Sequence, residues 1–248
     1  MRVITWNMRR ATNKRHEPWD YFNERSPDLA ILQEVTSIPE DLENNYDQIY
    51  QRALGKTGRE QAFGNAILVK NGQLSETKLL SEKHWINVEL NNLGGHLLSA
   101  KAQVHSGIHF NVLAIHSPAW AIDKERLKEM DVSDVKLAQN PDIWGTEILW
   151  SVLKNQDLSK GNWIVTGDLN SSETFDYMWS RGPRGNKEIL DRMKALGLIE
   201  MLRYRKGKLE PTFRNTTGGR VIHQLDHLFV GHKLIDSLMG CGRKVQDF

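Results

Sequence analysis

Trp163-Ile164-Val165-Thr166-Gly167-Asp168-Leu169-Asn170-Ser171 is an apolar run that stops on a Gly-Asp-x-Asn turn. A strand ending there carries a carboxylate and a carboxamide two residues apart, so both can address one bound group. Similar runs recur along the chain: Val3-Ile4-Thr5-Trp6, Leu29-Ala30-Ile31-Leu32, Ala66-Ile67-Leu68-Val69, His96 to Val104, and Phe110-Asn111-Val112-Leu113-Ala114-Ile115. Their length and β-branched content predict strands, several of them buried on both faces. Four longer amphipathic segments predict helices: Trp19 to Arg25, Asp123 to Leu137, Ile143 to Leu153 and Lys187 to Leu196. Pro141 suits the first turn of the third. Asn71-Gly72 and Asn91-Asn92-Leu93-Gly94-Gly95 read as turns. Strands outnumber helices and short turns join neighbours, so a mixed sandwich with outer helices is expected in place of a regular βαβ alternation.

The 248 residues can bury a full core, and no repeat, low-complexity tract or linker divides them, so a single domain over residues 1–248 is expected. With 33 basic against 31 acidic residues, the net charge of +2 gives only weak support for a polyanionic partner. The one cysteine, Cys241, excludes an internal disulfide framework and a Cys-rich zinc site, and a reducing compartment is the natural reading. Nothing near the N-terminus reads as a signal peptide, and no run approaches the roughly 18 apolar residues of a membrane span. A soluble, cytoplasmic protein is the expectation.

Polar groups of one chemical kind stand where the strand-like runs end: Asn7, Gln33-Glu34, His116-Ser117 and Asp168 with Asn170. Asp226 is set within Leu225-Asp226-His227-Leu228-Phe229-Val230, where an unpaired buried carboxylate would be costly. Each has an ordinary reading alone, Asn7 as a turn residue, Glu34 as a solvated strand end, His116 as a turn histidine. Gathered by a sandwich with its strand ends on one side, the set suits metal-assisted phosphoester hydrolysis. A hard ion such as Mg²⁺ (or Mn²⁺) prefers oxygen ligands and keeps several waters, which Glu34 and Asn7 would permit. Asp168 suits orienting or deprotonating a water, and Asn170 and protonated His116 suit donation to phosphate oxygens.

Thr5-Trp6-Asn7, Leu32-Gln33-Glu34-Val35, Gly64-Asn65-Ala66-Ile67-Leu68, Ala114-Ile115-His116-Ser117, Gly167-Asp168-Leu169-Asn170 and Leu225-Asp226-His227-Leu228-Phe229-Val230 follow one another in that order. Each piece is weak, but the ordered set resembles the endonuclease/exonuclease/phosphatase superfamily over about residues 1–230. The resemblance implies an α/β (α+β) fold, a four-layer α/β/β/α sandwich of two mixed sheets with outer helices, and Mg²⁺- or Mn²⁺-dependent phosphoester hydrolysis. It implies that Glu34 binds the metal with help from Asn7, that Asp168 activates or orients the water, and that Asn170 holds the scissile phosphate. His116 stands where deoxyribonuclease-like and sphingomyelinase-like members carry a catalytic histidine, and Asp226 matches the aspartate that orients the family's last one.

That last histidine belongs to a Ser-Asp-His motif roughly 20 to 30 residues later, which leads into a closing strand. Here the sequence ends at Val245-Gln246-Asp247-Phe248 without either. His227 is no substitute, because alternation points it away from Asp226. A truncated chain, a degenerate member and a partner chain that supplies the missing C-terminal elements are three readings; truncation is favoured, and impaired hydrolysis is expected.

Arg9 and Arg10 follow Asn7, and Arg181, Arg184, Lys187, Arg203, Arg205, Lys206, Lys208, Arg214 and Arg220 cluster between the Asp168 and Asp226 motifs. Interleaved with Trp179, Tyr204 and Phe213, they suit a nucleic-acid backbone, DNA or RNA, and Arg9, Arg10, Arg184, Arg205 and Arg214 are the expected contacts. A nuclease is the first reading. A phosphatase or phosphodiesterase on small-molecule or lipid phosphoesters, and a silent nucleic-acid-binding module, are the alternatives.

Overall fold

A computed structural model describes residues 1–178, 184–213 and 222–242. A four-stranded sheet has the order β1-β2-β4-β3, with β1 Val3–Ala11, β2 Leu29–Val35, β3 Tyr46–Leu54 and β4 Glu60–Lys70. A six-stranded sheet has the order β5-β6-β7-β8-β10-β9, with β5 Gln73–Glu76, β6 Leu97–Gln103, β7 His109–His116, β8 Trp163–Asp168, β9 Leu198–Glu200 and β10 Asp226–Gly231. Both are mixed: β1–β2 and β7–β8 are parallel, and the remaining pairs are antiparallel.

Alternation along the strands builds the layers. Leu29 and Ile31 of β2 and Ile67 and Val69 of β4 face Ala100, Val112 and Ile164 of the other sheet, closing the central core. The intervening Ala30, Leu32, Ala66 and Leu68 pack outward on Trp19 and Phe22 of helix α1 (His16–Arg25). On the opposite side Leu113, Ile115, Val165 and Phe229 pack on Leu149 and Leu153 of α4 (Gly145–Leu153) and on Ile189 and Met193 of α6 (Asn186–Ala195). Strands covered on both faces must be apolar at consecutive positions, hence the continuous runs in the sequence. The expected two mixed sheets with helices outside are present, although no strand pairs with the outer edge of β1 among the described residues.

Some local expectations change. Asp123 to Leu137 forms only a four-residue helix, α3 (Lys124–Leu127), capped by the Asp123 carboxylate accepting from Glu125 N–H. Asp131 then accepts from the Ser133 N–H and hydroxyl, a local bond that competes with continued helix. Pro141 precedes α4, which begins at Gly145 after Trp144. Asn91 and Asn92 end a helix, α2 (His84–Asn92), anchored by buried Ile86, where a turn was expected. Two short helices, α5 (Glu173–Met178) and α7 (Met201–Lys206), complete the set. Cys241 is a free thiol, and no helix among the described residues is long and apolar enough to cross a membrane.

Glu147 lies inside α4, 1% exposed, its carboxylate accepting from the Thr146 hydroxyl at 2.6 Å while its other oxygen lacks a partner. Burial pushes its pKa up to about 7. The folded state therefore holds this proton more tightly than the unfolded chain does, and stability falls as pH rises from about 4.5 to about 7. The slope is roughly 1.4 kcal/mol per pH unit, on the order of 3 kcal/mol in all. Thermal melts of Glu147→Gln should show a higher Tm than the wild type at pH 8 and a flatter dependence across this window; equal curves would disprove the assignment.

Candidate active site at the strand ends

The strand register sets three polar residues in a row. His116 of β7 pairs with Asp168 of β8, which pairs with Asp226 of β10. Each lies an even number of residues from an inward-facing apolar side chain, Ala114, Ile164 and Leu228 respectively, so all three share the face turned toward the other sheet. His227 has the opposite parity: it stacks on Phe229, and Nε2 stands 3.0 Å from the Ser171 carbonyl while Nδ1 meets the Gln224 amide at 3.3 Å. It braces the turn after β8, and burial lowers its proton affinity.

Facing this row are the ends of β1 and β2, both irregular. Between Asn7 and Ala11, β1 spends four residues where β2 advances two, from Gln33 to Val35, and β2 is itself bulged against β4 between Leu32 and Val35. Bulges redirect side chains at a sheet end, and here they aim Asn7 and Glu34 at the row. Their backbone cost is visible: Arg9, Arg10, Glu34 and Asn170 all have positive φ, at 50°, 61°, 51° and 48°. Left-handed backbone at non-glycine residues is uncommon and concentrates at functional sites. Gly167 has φ 139°, and a Cβ there would lie 1.9 Å from the Ile115 carbonyl oxygen, so the residue before Asp168 has to be glycine.

Hydrogen bonds join the two sheets at this mouth. The Asn7 amide nitrogen donates to Glu34 Oε1 at 3.0 Å and to Asp168 Oδ2 at 3.1 Å, while Asn7 Oδ1 accepts from Arg9 N–H. Asp168 Oδ1 accepts from Asn170 N–H at 2.9 Å, and the Asn170 amide donates to the Ser117 carbonyl at 2.6 Å. His116 Nε2 is 3.5 Å from Glu34 Oε1. Desolvation first, then repulsion from Asp168 and Glu34, pushes Asp226 up to about 7, opposed by the Thr212 hydroxyl. Thr212 also accepts from the Asp226 N–H at 3.0 Å.

Asn7, Glu34, His116, Asp168, Asn170 and Asp226 are therefore brought to one end of the sandwich, with Arg10 beside them. Its Nε is 3.8 Å from Glu34 Oε2 and its guanidinium lies over Phe63, 5.0 Å from the ring centroid. Arg9 is exposed next to it. Arg205 donates to the Leu238 carbonyl, Arg203 pairs with Glu173 at 2.7 Å, Arg184 is partly buried with its N–H on Asp176, and Arg214 lies outside the described residues.

Sequence reasoning missed His96, which is 1% exposed and packs 5.5 Å from the His116 ring. Its Nδ1 is 3.0 Å from the His116 carbonyl and its Nε2 2.8 Å from the Leu54 carbonyl, so it links the ends of β3 and β7. Asn65, fully buried, donates to the His96 carbonyl at 2.8 Å. A histidine opening an apolar run gives no sign of this role, because both partners are backbone carbonyls.

Among the described residues no three His, Cys, Asp or Glu side chains form a ready-made metal cluster. A magnesium-type ion needs only one or two carboxylates, completing its shell with water and substrate. Carboxylates at Glu34, Asp168 and Asp226 offer hard oxygen donors, and the repulsion that Asp168 and Glu34 exert on Asp226 marks a negative excess that a cation relieves. The residues fit such an ion.

No family model and no curated protein matches the chain. Solved structures do. An AP endonuclease from Archaeoglobus fulgidus superposes with a TM-score of 0.64 at 12% identity, covering 95% of this chain and 88% of that one. A 3'-5' exonuclease, NExo, from Neisseria meningitidis gives 0.62 at 14% identity, over 94% and 88%. An endonuclease/exonuclease/phosphatase from Beutenbergia cavernae gives 0.58 at 18% identity, over 94% of this chain and 64% of that one. At such identities the likeness concerns architecture, and the two facing mixed sheets, with polar strand ends gathered on one side, have the fold of the endonuclease/exonuclease/phosphatase superfamily.

Proposed function

We propose that the chain is a divalent-metal-dependent phosphodiester hydrolase acting on nucleic acid. One observation carries this reading: the His116–Asp168–Asp226 row faces Asn7 and Glu34 across the mouth of the sandwich. Solved structures of the same architecture include the AP endonuclease and the exonuclease named above, and a Neisseria 3' phosphatase bound to a product DNA hairpin.

Glu34, with Asn7 beside it, would hold a magnesium-type ion. When bound, such an ion polarises a phosphoryl oxygen and neutralises charge as it develops. The remaining work falls to side chains. Asp168 has one oxygen fixed by the Asn170 N–H and the other by Asn7, so its lone pairs are oriented to accept a proton from an attacking water. The Asn170 amide spends one hydrogen on the Ser117 carbonyl and keeps a second for a phosphate oxygen. His116, with Nε2 3.5 Å from Glu34 Oε1, stands at the same mouth, where its ring would donate a hydrogen bond to the same phosphate. Asp226, paired in register with Asp168 and bonded through its N–H to the Thr212 hydroxyl, stands behind Asp168 with its proton affinity raised by burial and by that neighbouring carboxylate. Arg9 and Arg10 supply positive charge for the backbone, a contribution that salt weakens.

Turnover of generic DNA, RNA and small phosphodiesters with Mg²⁺ tests the proposal. Cleavage of a nucleic acid that a chelator stops, and that Asp168→Ala lowers by about 10²-fold or more, is expected. Hydrolysis of small phosphoesters alone would move the substrate class, and divalent-independent cleavage would remove the metal. Ion binding has its own readout, since a ligand of the native state raises Tm. Added Mg²⁺ should raise the Tm of the wild-type protein and leave Glu34→Gln unchanged.

A further inference from the structure

A cavity of about 220 Å³ lies beside the proposed active site, between the Gly55–Gly58 turn joining β3 to β4, the end of α2 and the segment after β7. Its lining includes Lys56, Thr57, Asn92, Trp120, Ile122 and Arg126. It connects with the site through aromatic rings. Trp120 meets His96 in a T-shaped contact at 5.6 Å, and His96 meets His116 at 5.5 Å. His96 also contacts the Leu54 carbonyl, next to the turn that forms the opposite wall.

The chemistry of the lining is selective. Trp120 and Ile122 supply apolar and aromatic surface, Asn92 and Thr57 supply hydrogen-bonding groups, and Asp123 adds a carboxylate whose Oδ1 accepts from the Glu125 N–H at the start of α3. Arg126 is neutralised by Glu89, which accepts from it at 2.9 and 2.8 Å, so it is a rigid wall and not a free cation. Lys56 is exposed and makes no ion pair among the described residues, which leaves its ammonium available to an anion. Aromatic surface, amide and hydroxyl groups and an available ammonium, two ring contacts from a phosphoryl-binding histidine, match a nucleotide. The volume lies below the roughly 300 Å³ at which pockets for drug-sized ligands begin, so it suits a single base and excludes a base pair.

We propose that this cavity is a subsite for one unpaired nucleotide flanking the scissile phosphate, with its base against Trp120 and its phosphate on Lys56. The proposal rests on the hydrolase reading of the neighbouring strand ends and narrows its substrate to nucleic acid with an unpaired nucleoside beside the cut.

Fluorescence anisotropy of labelled single-stranded hexanucleotides, measured without divalent ions, tests the subsite apart from catalysis. The probes are an ordinary strand and the same strand with abasic spacers. Trp120→Ala should weaken binding of the ordinary strand about tenfold and leave the abasic strand unchanged, as expected for loss of base stacking. Trp120→Phe, which keeps a ring, should retain most of the affinity and controls for folding. Lys56→Ala should weaken both strands and lower the salt slope by about 0.7. An equal loss on both strands with Trp120→Ala, no loss on either, or a wild-type protein that binds neither strand would overturn the subsite. If the wild type hydrolyses nucleic acid while Trp120→Ala binds normally, only the subsite fails. If base-dependent binding is found without any hydrolysis, only the hydrolase reading fails.

Discussion

The Asn7 carboxamide, donating to Glu34 and Asp168, is the contact on which the rest of the site depends. Glu34 belongs to the four-stranded sheet and Asp168 to the six-stranded one, so a single side chain sets the gap between two layers at the end where the apolar core stops. Without it, two carboxylates would face each other across that gap with only distance and water to limit their repulsion. With it, each carboxylate has one oxygen fixed, and its other lone pairs are directed toward the opening.

This arrangement makes the mouth electrostatically unfinished. Asn7 donates hydrogen bonds but carries no charge, and Arg10, at 3.8 Å from Glu34, is more than half exposed, so solvent screens it. Asp226 answers the shortfall by holding a proton up to about pH 7. A core with this much uncompensated acid is a poor way to stabilise a protein and a serviceable way to receive a cation and a polyanion together.

Legibility in the sequence followed periodicity. Strands covered on both faces announce themselves as unbroken apolar runs, and their polar terminal residues, Asn7, Glu34, His116, Asp168 and Asp226, stood out against them; the parity that separates Asp226 from His227 could be counted. Helices were harder. Asp123 to Leu137 has a helical pattern, but the Asp131 side chain diverts the backbone to Ser133, and α2 hides in a segment whose asparagines resemble a turn. His96 and Thr212 were out of reach, since their roles consist of bonds to backbone groups distant in sequence. Composition likewise cannot say that Arg203 pairs with Glu173 or that Arg205 donates to a carbonyl.

The left-handed backbone at Arg9, Arg10, Glu34 and Asn170 also bears on how this protein could be engineered. Four residues with side chains occupy conformations that glycine adopts freely, so the chain gives up stability there to keep charge and hydrogen-bonding groups in place. Selection for heat resistance alone would drift toward glycine at these positions and erase the site while improving the scaffold. At these four positions, unlike Ser26 at the end of α1 or Asn71 in a turn, the strained backbone marks where robustness and chemistry compete.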